Sequence, residues 1–224
     1  MEYIPVGRRA LDARITYMFL LTATRHSMAS TKRVRVGVDP TKVFEKICSN
    51  VLHTFWGGDD RCFVHHIGTG SDRAAATFPD SIKSLCKNLS EGGTWKHGAR
   101  SPGAGDGGVD LVVWRAFRDA RPGNLVGFAQ CKTGVHWRQH LGRLRPAGFC
   151  GNFMTEPLIL EPRAIFMVPS RILHSVWDAR MRESGAMLFD RCRIVEYSGL
   201  VDGTTLSEAK AWLDAALGSA GTIL

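Results

Sequence analysis

At 224 residues, 44% hydrophobic and 22% charged, the chain is long enough to bury a core and too apolar for wholesale disorder. A formal net charge of +8 with a pI near 9.5 points to a polyanionic partner, nucleic acid foremost. Six cysteines at 48, 62, 86, 131, 150 and 192 form no Cys-x-x-Cys pair, and the apolar stretch 15–23 is shorter than the roughly 20 residues a membrane span needs, so a cytoplasmic protein with reduced thiols, neither exported nor inserted, is expected.

Residues 1–38 are basic, with Arg8, Arg9, Arg14, Arg25, Lys32, Arg33 and Arg35 against Glu2 and Asp12. They are expected as a basic N-terminal arm or helix ahead of a single domain over 39–224. Residues 9–27 suit a helix; Lys32–Val36 suits either a short strand or an arm on a phosphate backbone. Asp39-Pro40-Thr41 opens a second helix, since Asp39 or Thr41 can cap it and proline suits a first turn. Val43, Phe44, Ile47, Val51, Leu52 and Phe55 recur there at helical spacing, Glu45 lies at the edge of that face, and Gly57-Gly58 stops the run.

Cys62–His66 has ligand-type residues but no partner pair at zinc spacing, so a short strand is expected. A helix follows from Pro79-Asp80, with Ile82, Leu85, Cys86 and Leu89 on one face, ended by Gly92-Gly93. The segment 94–108 holds five glycines, which suggests a short strand near 94–97 and then a loop leading to Asp110.

Residues 105–134 carry the densest pattern: GDGGVDLVVWRAFRDARPGNLVGFAQCKTG. A glycine turn ends at Asp110, Leu111–Trp114 reads as a buried strand, Pro122-Gly123-Asn124 as a turn, and Leu125–Phe128 as a second strand running into Gln130, Cys131 and Lys132. Strand alternation sends Gln130 and Lys132 to one face and Cys131 to the other. With Asp110 on the neighbouring strand, a carboxylate, an amide oxygen and an ammonium would converge, the set needed to hold a hard cation and stabilise a phosphodiester transition state.

The stretch 135–145 is expected to be helical, and no carboxylate occurs between Lys132 and Glu156. His136, Arg138, Arg143 and Arg145, interleaved with Trp137 and followed by Phe149 and Phe153, are candidate contacts for a phosphate backbone. Arg163–Val168 reads as a strand. Ser170 would cap a helix over 171–182 with Ile172, Leu173, Val176 and Trp177 inward; 187–189 and 193–197 read as strands, or as one interrupted strand; 205–217 reads as an amphipathic helix. The sum is an α/β fold with a mixed sheet between helices.

The Asp106-Gly107-Gly108-Val109-Asp110 turn, the apolar hairpin and Gln130-Cys131-Lys132 resemble the PD-(D/E)XK nuclease superfamily, in its Mrr-like restriction endonuclease branch, where Gln-x-Lys replaces Glu-x-Lys. Phe44-Glu45 fits the upstream Phe-Glu pair of that branch. The likeness covers about a third of the chain. It implies a restriction-endonuclease-like core, a central mixed β-sheet flanked by helices. It also implies a Mg²⁺-dependent DNA endonuclease of a bacterial restriction or antiphage defence system, with Mn²⁺ able to substitute. On that resemblance Asp110, Gln130 and the Cys131 carbonyl would bind metal, and Lys132 and Glu45 would complete the catalytic set. Glu91 is a rival for the upstream acid, because the interval from Glu45 to Asp110 holds an additional helix. A partner supplying targeting or ATPase activity and a homodimer or larger assembly are implied too. A non-cutting nucleic-acid-binding or assembly module, a junction resolvase or an RNase on the same fold are the alternatives.

Overall fold

The computed structural model describes residues 11–26, 31–67, 77–99 and 108–218. The glycine turn residues Gly105, Asp106 and Gly107 lie outside them.

The hairpin is the centre of the sheet. Leu111–Arg115 (β2) and Leu125–Cys131 (β3) pair antiparallel, from Leu111 opposite Ala129 to Arg115 opposite Leu125. Cys62–His66 (β1) pairs antiparallel with the outer side of β2. Arg163–Met167 (β4) runs parallel to β3, and Met187–Phe189 (β5) parallel to β4. The order β1-β2-β3-β4-β5 makes a mixed five-stranded sheet. Strands β2 and β3 are buried on both faces, which is why their sequences read as near-continuous apolar runs rather than alternating ones.

Helices cover both faces. On one side Leu111, Val113, Ala129, Cys131, Ile165, Met167 and Phe189 pack with helices α1 (Leu11–Arg25), α2 (Pro40–Phe55), α6 (Arg191–Glu196) and α7 (Gly203–Gly218). On the other, Val112, Trp114, Val126 and Phe128 pack with α3 (Phe78–Leu89) and α4 (Pro146–Phe153). Phe166 and Leu188 there meet Trp137, Leu141 and Ile172, with Trp177 and Met181 of α5 (His174–Ser184) beside them. Each fully buried Phe or Leu contributes about 1.5–3 kcal/mol relative to exposure. The expected α/β architecture, a mixed sheet between helical layers, is present.

Local chemistry explains the element ends. Asp39 caps α2 by accepting from Thr41 N, with Pro40 in the first turn, as the sequence predicts. Thr77 caps α3, and Ser90 closes it in a left-handed conformation.

Four expectations are corrected. The stretch 135–145 forms only a 3₁₀ turn at Trp137–His140, and the helix starts later, at Pro146. Trp137 and Leu141 are buried against β4 and β5, an arrangement that packing sets rather than helical period. Residues 193–197 are not a strand: Asp190 accepts hydrogen bonds from Cys192 N and Arg193 N and caps α6. Helix α5 begins at His174, not 171. Ser170 does not cap it, and Leu173 and Val176 lie outward, Leu173 at 61% exposure. Near 94–97 only an isolated bridge forms, Trp95 to Met154.

The basic N-terminal stretch contributes to the core. Phe19 and Leu20 of α1 are fully buried, and Phe19 meets Trp212 of α7 edge-on at 5.4 Å. Between α1 and α2 the chain makes a tight hairpin in which Arg35 N donates to Val38 O at 3.1 Å and Val38 N to Arg35 O at 2.8 Å. Its two loop residues, Val36 and Gly37, both have positive φ, +46° and +77°. That suits a type I′ turn, but a valine there costs about 1–2 kcal/mol.

Candidate functional site

Five sequence-predicted site residues lie at one end of the hairpin. Asp110 ends the glycine turn one residue before β2. Its Oδ2 accepts a hydrogen bond from Cys131 N at 2.6 Å, and its own N–H donates to Ala129 O at 2.9 Å. The Cys131 peptide therefore faces the β2 side, just where regular pairing stops. In an extended strand the N–H and C=O of one residue point to the same side, so the Cys131 carbonyl is directed to the Asp110 side as well. A carboxylate offers about four lone-pair sites, so a hydrogen bond from Cys131 is compatible with ligation of a cation.

Gln130 lies opposite Phe166 in the β3–β4 register and is 5% exposed. Its Oε1 is buried with no hydrogen-bond partner among the described residues. An orphaned buried carbonyl oxygen costs about 1–3 kcal/mol, so an oxygen-seeking ligand would relieve it. Its Nε2 lies 3.4 Å from where a Cβ on Gly108 would stand, and Gly108 has φ +84°, a conformation that glycine adopts without strain. Gly108 thus lies against the Gln130 amide, two residues before Asp110. Lys132 continues the strand by donating N–H to Met167 O at 3.0 Å, which places it on the Gln130 face by alternation.

Glu45 arrives from α2. Cys48 and Cys131 lie in one buried cluster across the α2–β3 contact, near enough for each thiol to shift the other. Ser49 Oγ lies 3.2 Å from His66 Nε2, beside Leu111 in the register, while Trp56 at the other end of α2 receives Arg115 Nη1 on its carbonyl at 2.8 Å. Cys48 to Trp56 spans about 12 Å of helix, and Gly127 to Cys131 about 13 Å of strand, so α2 runs antiparallel to β3. Glu45, three residues before Cys48, is displaced about 4.5 Å further towards the Asp110 end. It is half-buried, and its charge helps raise both the Cys48 and the Cys131 thiols. The neighbouring Cys48 thiol, and then burial, raises the Cys131 thiol well above its ordinary range; burial is the larger cause for Cys48.

Glu91 is elsewhere. Its Oε1 accepts from Gly123 N at 2.6 Å and Asn124 N at 3.0 Å, and its Oε2 from Ile159 N at 3.0 Å. Gly123 and Asn124 precede β3, about 20 Å along the strand from Gln130. Glu91 staples the hairpin turn to the 156–160 segment, and the structure separates it from Asp110.

The basic stretch after Lys132 lies over the Gln130 face. Buried Trp137 packs on Phe166 and anchors it, while His136, Arg138, Arg143 and Arg145 are exposed. Arg138 lies over the Trp137 ring at 5.1 Å. His140, which the sequence reading left out of the site, has its pKa lowered first by burial and then by the charges of Lys132 and Arg143. The signal for it was the run without carboxylates, which leaves those cations uncompensated locally.

Among the described residues, no three His, Cys, Asp or Glu side chains group as a metal centre. The donors at the strand end are one carboxylate, one orphaned amide oxygen and one peptide carbonyl. All are hard oxygens, and magnesium retains several waters and takes up substrate phosphate in such sparse sites. The residues fit a magnesium ion completed by phosphate better than a closed protein cage.

No protein-family model matches the chain, and no curated protein matches its sequence. Among solved structures it is similar to the MspJI restriction endonuclease in complex with a 27-mer oligonucleotide, at 11% identity and a TM-score of 0.43. The alignment covers 97% of this chain and 39% of that one, so the chain spans about two fifths of that protein's length. Among the described residues no helix is long and apolar enough to cross a membrane, and all six cysteines are free thiols.

Proposed function

We propose that this protein is a magnesium-dependent endodeoxyribonuclease, serving as the nuclease part of a bacterial restriction or antiphage defence system. The observation that carries the reading is the strand end itself: the Asp110 carboxylate 2.6 Å from the Cys131 peptide, next to an orphaned, buried Gln130 oxygen, with Lys132 immediately following. Asp110, Gln130 and the Cys131 carbonyl would hold the ion, with manganese able to replace it. A bound divalent ion supplies Lewis acidity and lowers the pKa of coordinated water. Lys132 stabilises charge developing on the scissile phosphate, and Glu45, at the same end on α2, orients the attacking water. His136, Arg138, Arg143 and Arg145 dock the backbone on the neighbouring surface. The neutral Gln130 lowers the site's negative charge, so metal affinity depends strongly on DNA being present.

Plasmid cleavage with Mg²⁺ or Mn²⁺, against an EDTA control, tests this reading. Asp110→Ala and Lys132→Ala are expected to lower cleavage by at least about a hundredfold while gel-shift affinity for DNA survives. An Asp110→Ala protein that still nicks plasmid with magnesium overturns the assignment. The sparse donor set also favours a second reading, a module that binds DNA or a defence partner without cutting; wild-type protein that binds duplex yet never cleaves it selects that reading.

A further inference from the structure

A cavity of about 590 Å³ lies where the start of α4, the start of β4 and the end of α5 meet. That volume falls within the roughly 300–1,000 Å³ of small-molecule sites. Leu144, Pro146 and Met181 give it an apolar wall, and Arg145, Arg163 and Glu161 line the rest of the argument's interest in it: two cations and one acid around a single hollow. Leu144 packs with Phe128 and Met181 with Phe166, so the cavity opens on the Gln130 face of the sheet. In the β3–β4 register Arg163 stands opposite Gly127 and Met167 opposite Cys131, which sets the cavity about 13 Å along the sheet from the Asp110 end. It is a second place, apart from the candidate metal site.

The charges around it are not spent on one another. Arg33, Arg61, Arg115 and Arg180 each meet a carboxylate. Among the described residues the side chains of Arg163 and Glu161 form no ion pair or hydrogen bond, and the Arg145 guanidinium has only a 3.5 Å contact to the carbonyl of Leu144 beside it. Glu161 lines the same cavity as both arginines without pairing with either. Helix α4, which starts at Pro146, has no side-chain cap and no acid in its first turn, so its free N–H groups add positive potential to the same rim.

We propose that this cavity binds a nucleoside monophosphate unit. Two guanidiniums offer the forked donors that suit a phosphate. The apolar wall, with the polarizable thioether of Met181, suits the flat face of a base. The Glu161 carboxylate accepts from a base amino group or a sugar hydroxyl. A bare anion would leave the wall and Glu161 without a role, and a plain hydrophobe would leave the two arginines without one. A free nucleotide and a nucleotide within a single strand share this chemistry. The site stands independently of the nuclease reading.

The test is calorimetric titration of the full-length chain in EDTA with inorganic phosphate, with 2′-deoxyadenosine 5′-monophosphate and with a single-stranded deoxyadenosine hexanucleotide. At least one of the two nucleotide probes is expected to bind about tenfold or more tightly than phosphate. Arg163→Gln, at an exposed position whose side chain has no partner, is expected to keep the thermal midpoint and to weaken that binding about tenfold, the loss of one charge-assisted contact. Arg145→Gln is expected to act in the same direction. Tighter binding of the mononucleotide assigns the cavity to a free nucleotide; tighter binding of the hexanucleotide, lost in Arg163→Gln, assigns it to a strand. The site is overturned if neither nucleotide probe binds more tightly than phosphate, or if both arginine variants keep the affinities of the unsubstituted chain. Plasmid cleavage plays no part in the readout, so failure of the nuclease reading leaves this outcome untouched, and the reverse.

Discussion

At the scale of single residues, the sheet end combines groups that a purely structural strand would not. Among the described residues the buried Gln130 oxygen has no partner, and Gly108 takes a left-handed conformation beside its amide. Elsewhere charges are well matched. Arg115 Nη2 meets Asp59 Oδ2 at 2.6 Å, and this pairing, joined by Arg61, holds the Asp59 carboxyl at about 2 against an ordinary 3.8. Because the folded value is the lower one, the pair's contribution to stability is complete above about pH 4 and is lost as pH falls towards 2. Asp59→Asn is expected to flatten that part of the acid limb in thermal midpoint against pH, leaving neutral behaviour to the other contacts. An unchanged acid limb contradicts the pairing. Residue identity made Asp110, Gln130 and Lys132 legible, since their types and spacing are unusual. Glu45 and Glu91 were indistinguishable by type, and only their partners separated them: Glu45 lies one turn from Cys48, whereas Glu91 is bonded to three backbone N–H groups at the far end of the hairpin.

At the scale of elements, two contacts hold the hairpin, one at the site's end and one at the far end. One is the seat of α2 on β3, where a Cβ on Gly127 would stand 2.6 Å from Ile165 Cδ1 and 3.0 Å from Trp56 Cζ2. Only a glycine lets helix and strand approach this closely, and that approach brings Glu45 towards Asp110. The other is the Glu91 staple. Glu91→Ala leaves the Gly123, Asn124 and Ile159 N–H groups without their acceptor, at about 1–3 kcal/mol for each that stays buried. It is expected to destabilise the protein by about 3 kcal/mol in urea titration while leaving the cleavage rate of the folded fraction unchanged. A loss of cleavage per folded molecule with no loss of stability returns Glu91 to the catalytic set. The hairpin, α2, α3 and α7 were readable because apolar period and caps agree there. The segment 135–145 was not, because Trp137 and Leu141 are buried by β4 and β5, partners more than twenty residues further along the chain.

At the scale of the molecule, a DNA backbone would lie across the Cys131 end of the sheet, between the α2 side and the Arg138–Arg145 side. Arg138→Ala and Arg143→Ala are each expected to weaken duplex binding and to lower the slope of log affinity against log salt by about 0.9 per lost phosphate contact. Unchanged affinity and slope in both variants remove this surface from the DNA path. The sequence alone determined the α/β class, the hairpin and its terminal residues, and the basic character of the surface, because each follows from local period, turn chemistry or composition. Tertiary structure decided that Glu91 is bonded at the far end of the hairpin while Glu45 lies near Cys48 and Cys131, that α1 packs into the core, and that the 35–38 stretch is a strained hairpin. Those outcomes depend on contacts between segments distant in sequence, such as Phe19 with Trp212 and Cys48 with Cys131, which no local pattern encodes.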